Sequence, residues 1–320
     1  MMEILLSPDF YNFRVLDAGT KFVSGAVWLR KEQVLLVELR EATRIVSRYT
    51  FCIPMATKLE EIVAAARRRV ASAQAAADLR ALQNQANGHQ PRGFRRALQE
   101  RSASGVAVIA ELKKASPSKG VIRDDFRVAE LAGELEQAGA AALSVLTEQQ
   151  YFQGSLHNLT AASQAVNLPC LRKDFLVDEF QVMEARAHGA DAILLIVAAL
   201  SEAELLSLGR SARANSLDVL CEVHDAIELQ RALDAGFETI GVNNRDLRTF
   251  RVDLNTSLQL VDRIPARVMK IAESGIESAE DVARLRQAGF NGFLIGESLM
   301  RAAHPGDVLR GLLGQPVSAR

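Results

Sequence analysis

From Val106 onward the chain repeats one pattern, a short apolar run followed by a stretch of helical length. The runs are VAVIAEL (106–112), ALSVLT (142–147), LPCLRKDF (168–175), AILLIVAAL (192–200), DVLCEV (218–223), TIGVNN (239–244), VMKIAES (268–274) and GFLIGE (292–297). Between them lie amphipathic segments such as RVAELAGELEQAGA, DEFQVMEARAHGA, AIELQRALDAGF and SAEDVARLRQAGF. These carry Gly139, Gly189, Gly236 and Gly289 where a helix closes with a left-handed residue. Near-continuous apolar strands alternating with helices specify a parallel sheet covered by helices. Eight such units predict an α/β fold, a closed (β/α)8 TIM barrel over residues 106–320. An open doubly wound sheet is the competing architecture, but no GxGxxG follows the first run.

Two segments precede the barrel. In residues 55–105, the stretch MATKLEEIVAAARRRVASAQAAADLRALQNQA places Leu59, Ile62, Val63 and Ala66 at helical spacing. Thr57 and Glu60 have the spacing of a capping box, so one helix is expected to start there. GHQPRG at 88–93 is a break, and a short helix is expected over Phe94 to Glu100. Residues 1–54 read differently and hold the only tryptophan, Trp28. The expectation is that translation starts at Met55 and that the upstream stretch packs poorly and is dispensable. A genuine extension is the alternative, with VSGAVWLRKEQVLLVEL forming a small hairpin.

Charge and composition narrow the function. Lys plus Arg is 38 against 39 for Asp plus Glu, a net charge of -1. That leaves no basic excess to hold nucleic acid by counterion release, and ARRRV (66–70) is expected to be a solvated helix face. Cys52, Cys170 and Cys221 are far apart and form no CxxC or Cys/His cluster, so no structural metal is expected. The longest apolar stretch, Ala192 to Leu200, is too short to cross a bilayer. The N-terminus lacks the basic-then-apolar order of a signal peptide. The expectation is a cytoplasmic protein without a membrane or nucleic-acid partner, monomeric, with a weak homodimer as the alternative.

In a barrel of this kind, chemistry gathers at the C-terminal ends of the strands. Six of the eight runs end there in polar groups: Glu111 and Lys113, Arg172 to Asp174, Glu222, Asn243 to Arg245, Glu273 and Ser274, and Glu297 and Ser298. Alternate strand residues share a face, so Glu111 pairs with Lys113, Asn243 with Arg245, and Lys173 with Leu171 and Phe175. Carboxylates and ammoniums in one funnel shift each other's pKa values and serve as acid and base near neutral pH. The turns Ser274-Gly275-Ile276 and Ile295-Gly296-Glu297-Ser298 can present backbone N–H groups to a phosphate. The loop KKASPSKG, with Ser116, Ser118 and Lys119, is placed to close over the same anion.

VIAELKKASPSKGVIRDDF, LPCLRKDFLVDEFQVMEARAHGADAILLI, CEVHDAIEL, IGVNNRDLRTF, IAESGIES and FLIGESLM closely resemble indole-3-glycerol phosphate synthase. The resemblance runs from about Met55 to Leu313. AESGI alone is weak, because other phosphosugar barrels have similar turns; ELKKASPSKG with RKDF and NNRDL is specific. The resemblance implies a (β/α)8 barrel with an extra N-terminal helical segment, acting in tryptophan biosynthesis. It implies ring closure of 1-(2-carboxyphenylamino)-1-deoxyribulose 5-phosphate with loss of carbon dioxide and water, without cofactor or metal. The implied catalytic residues are Glu111, Lys113, Lys173, Glu222, Asn243, Glu273 and Ser274. Ser116, Gly275, Gly296, the backbone of Glu297 and nearby Arg245 are implied for the phosphate. Residues 1–54 have no counterpart in the family core.

The chemistry fits that resemblance. An acid must protonate the ketose carbonyl; Lys173 or Lys113 is expected to do so with a pKa lowered by burial and by the other lysine. Glu222 is the candidate base, and Glu111 is a candidate to orient a lysine. Phe175, Leu146 and Leu194 are expected to form an apolar pocket that favours decarboxylation, with Asn243 and Glu273 on the sugar hydroxyls. Each residue also has a purely structural role open to it: an ion pair for Glu111 and Lys113, a helix cap for Glu222, tight turns for the glycines. His224 is expected at the surface, and the cysteines as small buried apolar groups. The competing functions are a phosphoribosyl isomerase, which wants a Cys or Asp pair where Glu-x-Lys stands, and a non-catalytic phosphosugar-binding barrel.

Overall fold

The computed structural model describes residues 3–7, 10–16 and 22–27, then 57–247 and 249–316. It divides into two units at residue 55. In the first unit β1 (Glu3–Ser7), β2 (Phe10–Leu16) and β3 (Phe22–Val27) form an antiparallel meander. Thus Val23 to Val27 pair backward with β2. The hairpin expected over 23–39 does not account for this strand, and its second half lies outside the described residues, as do Trp28, Cys52 and Met55.

The second unit opens with α1 (Lys58–Ala76), α2 (Leu79–Gly88) and α3 (Phe94–Ser104). The Thr57 capping box is present: the Thr57 N–H donates to Glu60 Oε2 at 2.6 Å, and the Glu60 N–H donates to Thr57 Oγ1 at 3.3 Å. A cap of this kind contributes about 1 kcal/mol to the helix. The single helix expected after Thr57 is in fact two. Ala77 is extended, and Asp78 starts α2 by accepting the N–H groups of Arg80 and Ala81, each at 3.0 Å. A second local cap outweighs an otherwise helical composition.

The eight apolar runs become eight parallel strands: β4 (Ala107–Leu112), β7 (Ala142–Leu146), β8 (Cys170–Lys173), β9 (Ala192–Ile196), β10 (Asp218–Val223), β11 (Thr239–Asn243), β12 (Met269–Glu273) and β13 (Gly292–Ile295). Each pairs with the next, and β13 pairs with β4 to close the barrel. The loop after β4 carries a short hairpin, β5 (Ala115–Ser116) with β6 (Gly120–Val121). The helices that follow the strands are α4 (Val128–Gln137), α5 (Leu156–Ala165), α6 (Glu179–Ala187), α7 (Glu202–Ala214), α8 (Ala226–Asp234), α9 (Asn255–Leu260), α10 (Ala279–Gln287), α11 (Glu297–Arg301) and α12 (Pro305–Leu312). Gly139, Gly189, Gly236 and Gly289 all have positive φ at helix ends, as their placement predicts.

The N-terminal helices hold the barrel at both ends. At the N-terminal end, Phe94 and Leu98 of α3 are fully buried, and α3 packs on β4 and β7. Asp191, just ahead of β9, accepts from Arg92 Nη2 at 2.6 Å and Nε at 3.0 Å, from His89 at 3.2 Å and from the Cys170 N–H at 2.6 Å. At the C-terminal rim, Arg69 of α1 reaches Asp174 at 2.8 Å and Glu148 at 3.1 Å. Arg69 is therefore not part of a solvated arginine face. Asp174 and Glu148 are buried and need a cation, and they draw this side chain inward. Arg67 and Arg68 remain exposed, as expected.

Candidate active site

Strand parity delivers the functional side chains to one mouth. Glu111 is the fifth residue of β4, and Lys113 follows one residue past its end on the same face. Lys173, Asn243 and Glu273 are the last residues of β8, β11 and β12, and Glu222 is one short of the end of β10. All six line one cavity of about 450 Å³, together with Ser116, Phe175, Arg245, Ser274, Gly275, Gly296 and Glu297. The residues implied for catalysis and for the phosphate are therefore brought together, whereas Arg172 and Asn244, of the opposite parity on their strands, do not line the cavity.

The floor is a cation–carboxylate array. Lys113 Nζ donates to Glu111 Oε1 at 2.7 Å. Lys173 Nζ lies between Glu222 Oε2 at 3.2 Å and Glu273 Oε2 at 3.4 Å. Asn243 Nδ2 donates to the other oxygen of Glu222 at 3.1 Å, and Asn243 Oδ1 accepts the N–H of Arg245 at 3.0 Å. Asn243 is thus tied to Glu222.

Ionisation follows from these distances. Burial opposes the charge on Lys173, but Glu222, Glu273 and Glu111 outweigh it and hold its pKa above the ordinary value. This corrects the expectation of a lysine with lowered pKa: strand register places carboxylates around it, and opposite charges favour the ammonium. Burial also opposes ionisation of Glu222, yet Lys173, His224 and Asn243 together hold its carboxyl below the usual range. Glu273 is pushed up to about 8, by burial first and by the neighbouring Glu222 and Glu111, against the pull of Lys173. Its Oε1 is buried and has no hydrogen-bond partner among the described residues. Glu111 is held low despite burial, by Lys113 and Lys173.

The rim has the features of an anion cradle. Ser274 and Gly275 are both left-handed, φ 67° and 75°, which turns the backbone sharply after β12. A side chain at Gly275 would also collide with Val252. Arg245 lies 3.7 Å from Glu297, and Lys119 of the loop after β4 lies 3.8 Å from it. The Ser116 and Ser298 hydroxyls are buried without hydrogen-bond partners among the described residues, so both can donate to a ligand. Ser298, placed in the turn by sequence but not assigned a role, joins the cradle here.

The cavity has an apolar wall. Phe175, Leu146 and Leu194 belong to it, as expected. So do Leu59 and Ile62 of α1, which sequence periodicity marked only as a helix face. His224 corrects a second expectation. It is not a free surface histidine: its Nε2 is 3.3 Å from Glu222 Oε1, and its Nδ1 is 2.9 Å from Glu228 Oε2. Its parity with Glu222 on β10 was the available signal.

Among the described residues there is no group of three His, Cys, Asp or Glu side chains able to hold a metal ion, and no helix long and apolar enough to cross a membrane. The barrel is similar to 3-hexulose-6-phosphate synthase from Salmonella typhimurium, with a TM-score of 0.54 at 13% identity, over 65% of this chain and 97% of that one. At that identity only the fold is shared. Sequence relatives are far closer. Indole-3-glycerol phosphate synthase from Koribacter versatilis is 58% identical over 260 residues, 81% of this chain and 100% of that protein. The enzyme of the same name from Acidithiobacillus ferrooxidans is 53% identical over 256 residues, 79% of this chain and 97% of that protein. The family model described as indole-3-glycerol phosphate synthase matches residues 59–312, and the chain belongs to that family.

Proposed function

We propose that this cavity carries out the family's ring closure through a division of roles among the residues above. The reaction joins the carboxylate-bearing aromatic carbon of 1-(2-carboxyphenylamino)-1-deoxyribulose 5-phosphate to its ketose carbonyl. Carbon dioxide and water then leave, giving indole-3-glycerol phosphate in tryptophan biosynthesis. As the new bond forms, charge develops on the carbonyl oxygen. Lys173, held cationic chiefly by the ionised Glu222 and Glu111, and Lys113, fixed by Glu111, are the groups that stabilise and protonate it. Once Lys173 has given up its proton, the chief cation holding Glu222 ionised is gone. Glu222 then becomes the base for the proton lost during dehydration, with Asn243 fixing its orientation.

Glu273, largely protonated near neutral pH, donates a hydrogen bond to a sugar hydroxyl. Ser274 and Gly275, Gly296 and Glu297 offer backbone N–H groups to the phosphate, with Ser116 and Arg245 beside them. Phe175, Leu146, Leu194, Leu59 and Ile62 surround the aromatic ring, where a weakly solvated carboxylate loses carbon dioxide more readily. We further read the chain as a monomer of the cytoplasm, a compartment that suits the free, buried thiols of Cys170 and Cys221.

The observation that carries this reading is the array itself: Lys113 on Glu111, and Lys173 between Glu222 and Glu273, at the floor of a cavity with glycine turns at its rim. The test is turnover of the substrate without added metal, followed by indole fluorescence. Wild type is expected to form product, and Lys113→Ala and Lys173→Ala to lose about 10²–10⁴-fold in kcat. Tight binding without product would instead identify a ligand-binding barrel.

A further inference from the structure

His224 lies one residue past β10, and Glu228 stands in the first turn of α8. Glu228 Oε2 accepts both the backbone N–H of His224, at 2.8 Å, and its ring Nδ1–H, at 2.9 Å. The other ring nitrogen, Nε2, is buried 3.3 Å from Glu222 Oε1, within ion-pair distance but without hydrogen-bond geometry. A neutral imidazole has one donor and one acceptor nitrogen, whereas an imidazolium has two donors. With a carboxylate on each side, the ring is favoured in its cationic form. Burial works against that charge, but Glu222 and Glu228 outweigh it and raise the pKa to about 10.

Exposure gives this row a direction. The Glu222 side chain is 2% exposed and that of Glu228 is 16% exposed. Neither His224 nor Glu228 lines the cavity, although Glu222 does. Glu228 is therefore the most exposed member of the row, and its exposed surface lies outside the lining of the cavity.

The proposed reaction needs such a connection. Substrate enters with an ionised carboxylate and leaves that group as neutral carbon dioxide. Protonating the carbonyl and then expelling water takes two protons, and rearomatisation returns one. Each turnover thus consumes one proton from solvent, while the substrate's own ring and phosphate fill the cavity.

We propose that Glu228 and His224 form a proton path from solvent to Glu222 and onward to Lys173, through residues that do not line the substrate cavity. The inference rests on the proposed function above. After Lys173 has protonated the substrate, the ionised Glu222 accepts the Nε2 proton of His224 on Oε1, and rotation of the protonated carboxyl carries that proton to Lys173, whose Nζ lies 3.2 Å from Oε2. The neutral ring keeps its Nδ1 proton; it turns over about the Cβ–Cγ bond, so that its bare nitrogen faces Glu228 and takes a proton that Glu228 has received from solvent, and the cation is re-formed. No bond other than O–H and N–H bonds changes. His224 acts through Glu222 and is a positioning residue that also transfers a proton.

The test measures kcat and KM in the full chain for wild type, His224→Ala, His224→Gln and Glu228→Gln. Imidazole is varied at fixed pH and ionic strength. The expected result is a kcat about tenfold or more lower in both His224 variants, with KM nearly unchanged. Imidazole is expected to restore kcat in His224→Ala in proportion to its concentration, while leaving wild type unaffected. Glu228→Gln should show a smaller loss with a larger solvent deuterium isotope effect than wild type. A kcat equal to wild type in His224→Gln overturns the path, as does a loss in His224→Ala that imidazole does not change. The latter result would leave His224 as a structural partner of Glu228 alone. Absence of product from wild type would overturn the reaction assignment and the path together, which separates the two failures.

Discussion

Gly241 on β11 faces the carboxylate of Glu273 on β12, and a methyl group at Gly241 would collide with Glu273 Oε1. The same relation recurs across the barrel seam: a Cβ at Gly296 would lie 2.5 Å from Glu111 Oε1. Both buried carboxylates occupy space that a neighbouring strand leaves free by lacking a side chain. Gly241→Ala is therefore expected to displace Glu273 and weaken the contact with Lys173. We expect kcat to fall by about 10²-fold and stability by about 1–3 kcal/mol. Steady-state kinetics with thermal melting check this, and an unchanged kcat would sink it.

Glu273 also gives a pH signature. Its carboxyl is raised to about 8 in the fold, against an ordinary value of 4.5. Between those values the folded chain retains a proton that the unfolded chain has released. The group's contribution to stability therefore declines as pH rises through this window. Glutamine has no such proton to lose. The stability of Glu273→Gln relative to wild type should rise from pH 4.5 to pH 8 and level off above it. Denaturant titrations across the range test this, and a flat difference would show that Glu273 ionises as an ordinary carboxylate.

At the opposite end of the barrel, Asp191 is fully buried, and the hydrogen bonds of His89 and Arg92 hold its pKa below the ordinary value although burial opposes this. A depressed carboxyl stabilises the fold above its unfolded value of 3.8, and that stabilisation is lost as pH falls through the folded value. Asp191→Asn leaves the Arg92 guanidinium without its counter-ion. We expect a loss of about 3–5 kcal/mol at pH 7, shrinking as the pH falls from 3.8 to the folded value of Asp191 and levelling off below it. Melting curves at neutral and acidic pH decide this; a loss independent of pH would implicate packing.

Deletion of residues 1–54 is expected to leave kcat and Tm at the values of the full chain. The helix that contributes Leu59 and Ile62 to the cavity begins at Lys58, and its Thr57 cap is retained. A marked fall in either quantity would make the segment a working part of the enzyme.

Much of this protein is legible in its sequence. Near-continuous apolar runs separated by capped, amphipathic helices specify eight strands and a closed parallel sheet, because each strand must be buried on both faces. Parity then sends Glu111, Lys113, Lys173, Glu222, Asn243 and Glu273 to one mouth, since alternate residues share a face whatever the strand's neighbours are. Ionisation is different, because it depends on distances between strands far apart in the chain. Lys173 meets Glu273 across 100 residues of sequence and Glu222 across 49. That meeting keeps the lysine charged and holds Glu222 ionised, while burial and the neighbouring Glu222 and Glu111 keep Glu273 protonated against the pull of Lys173. The inward turn of Arg69, the seat of His224 between two carboxylates and the room that Gly241 leaves for Glu273 have the same origin. Local pattern determines which residues reach the site, and tertiary packing alone sets what faces each of them and hence what charge each one carries.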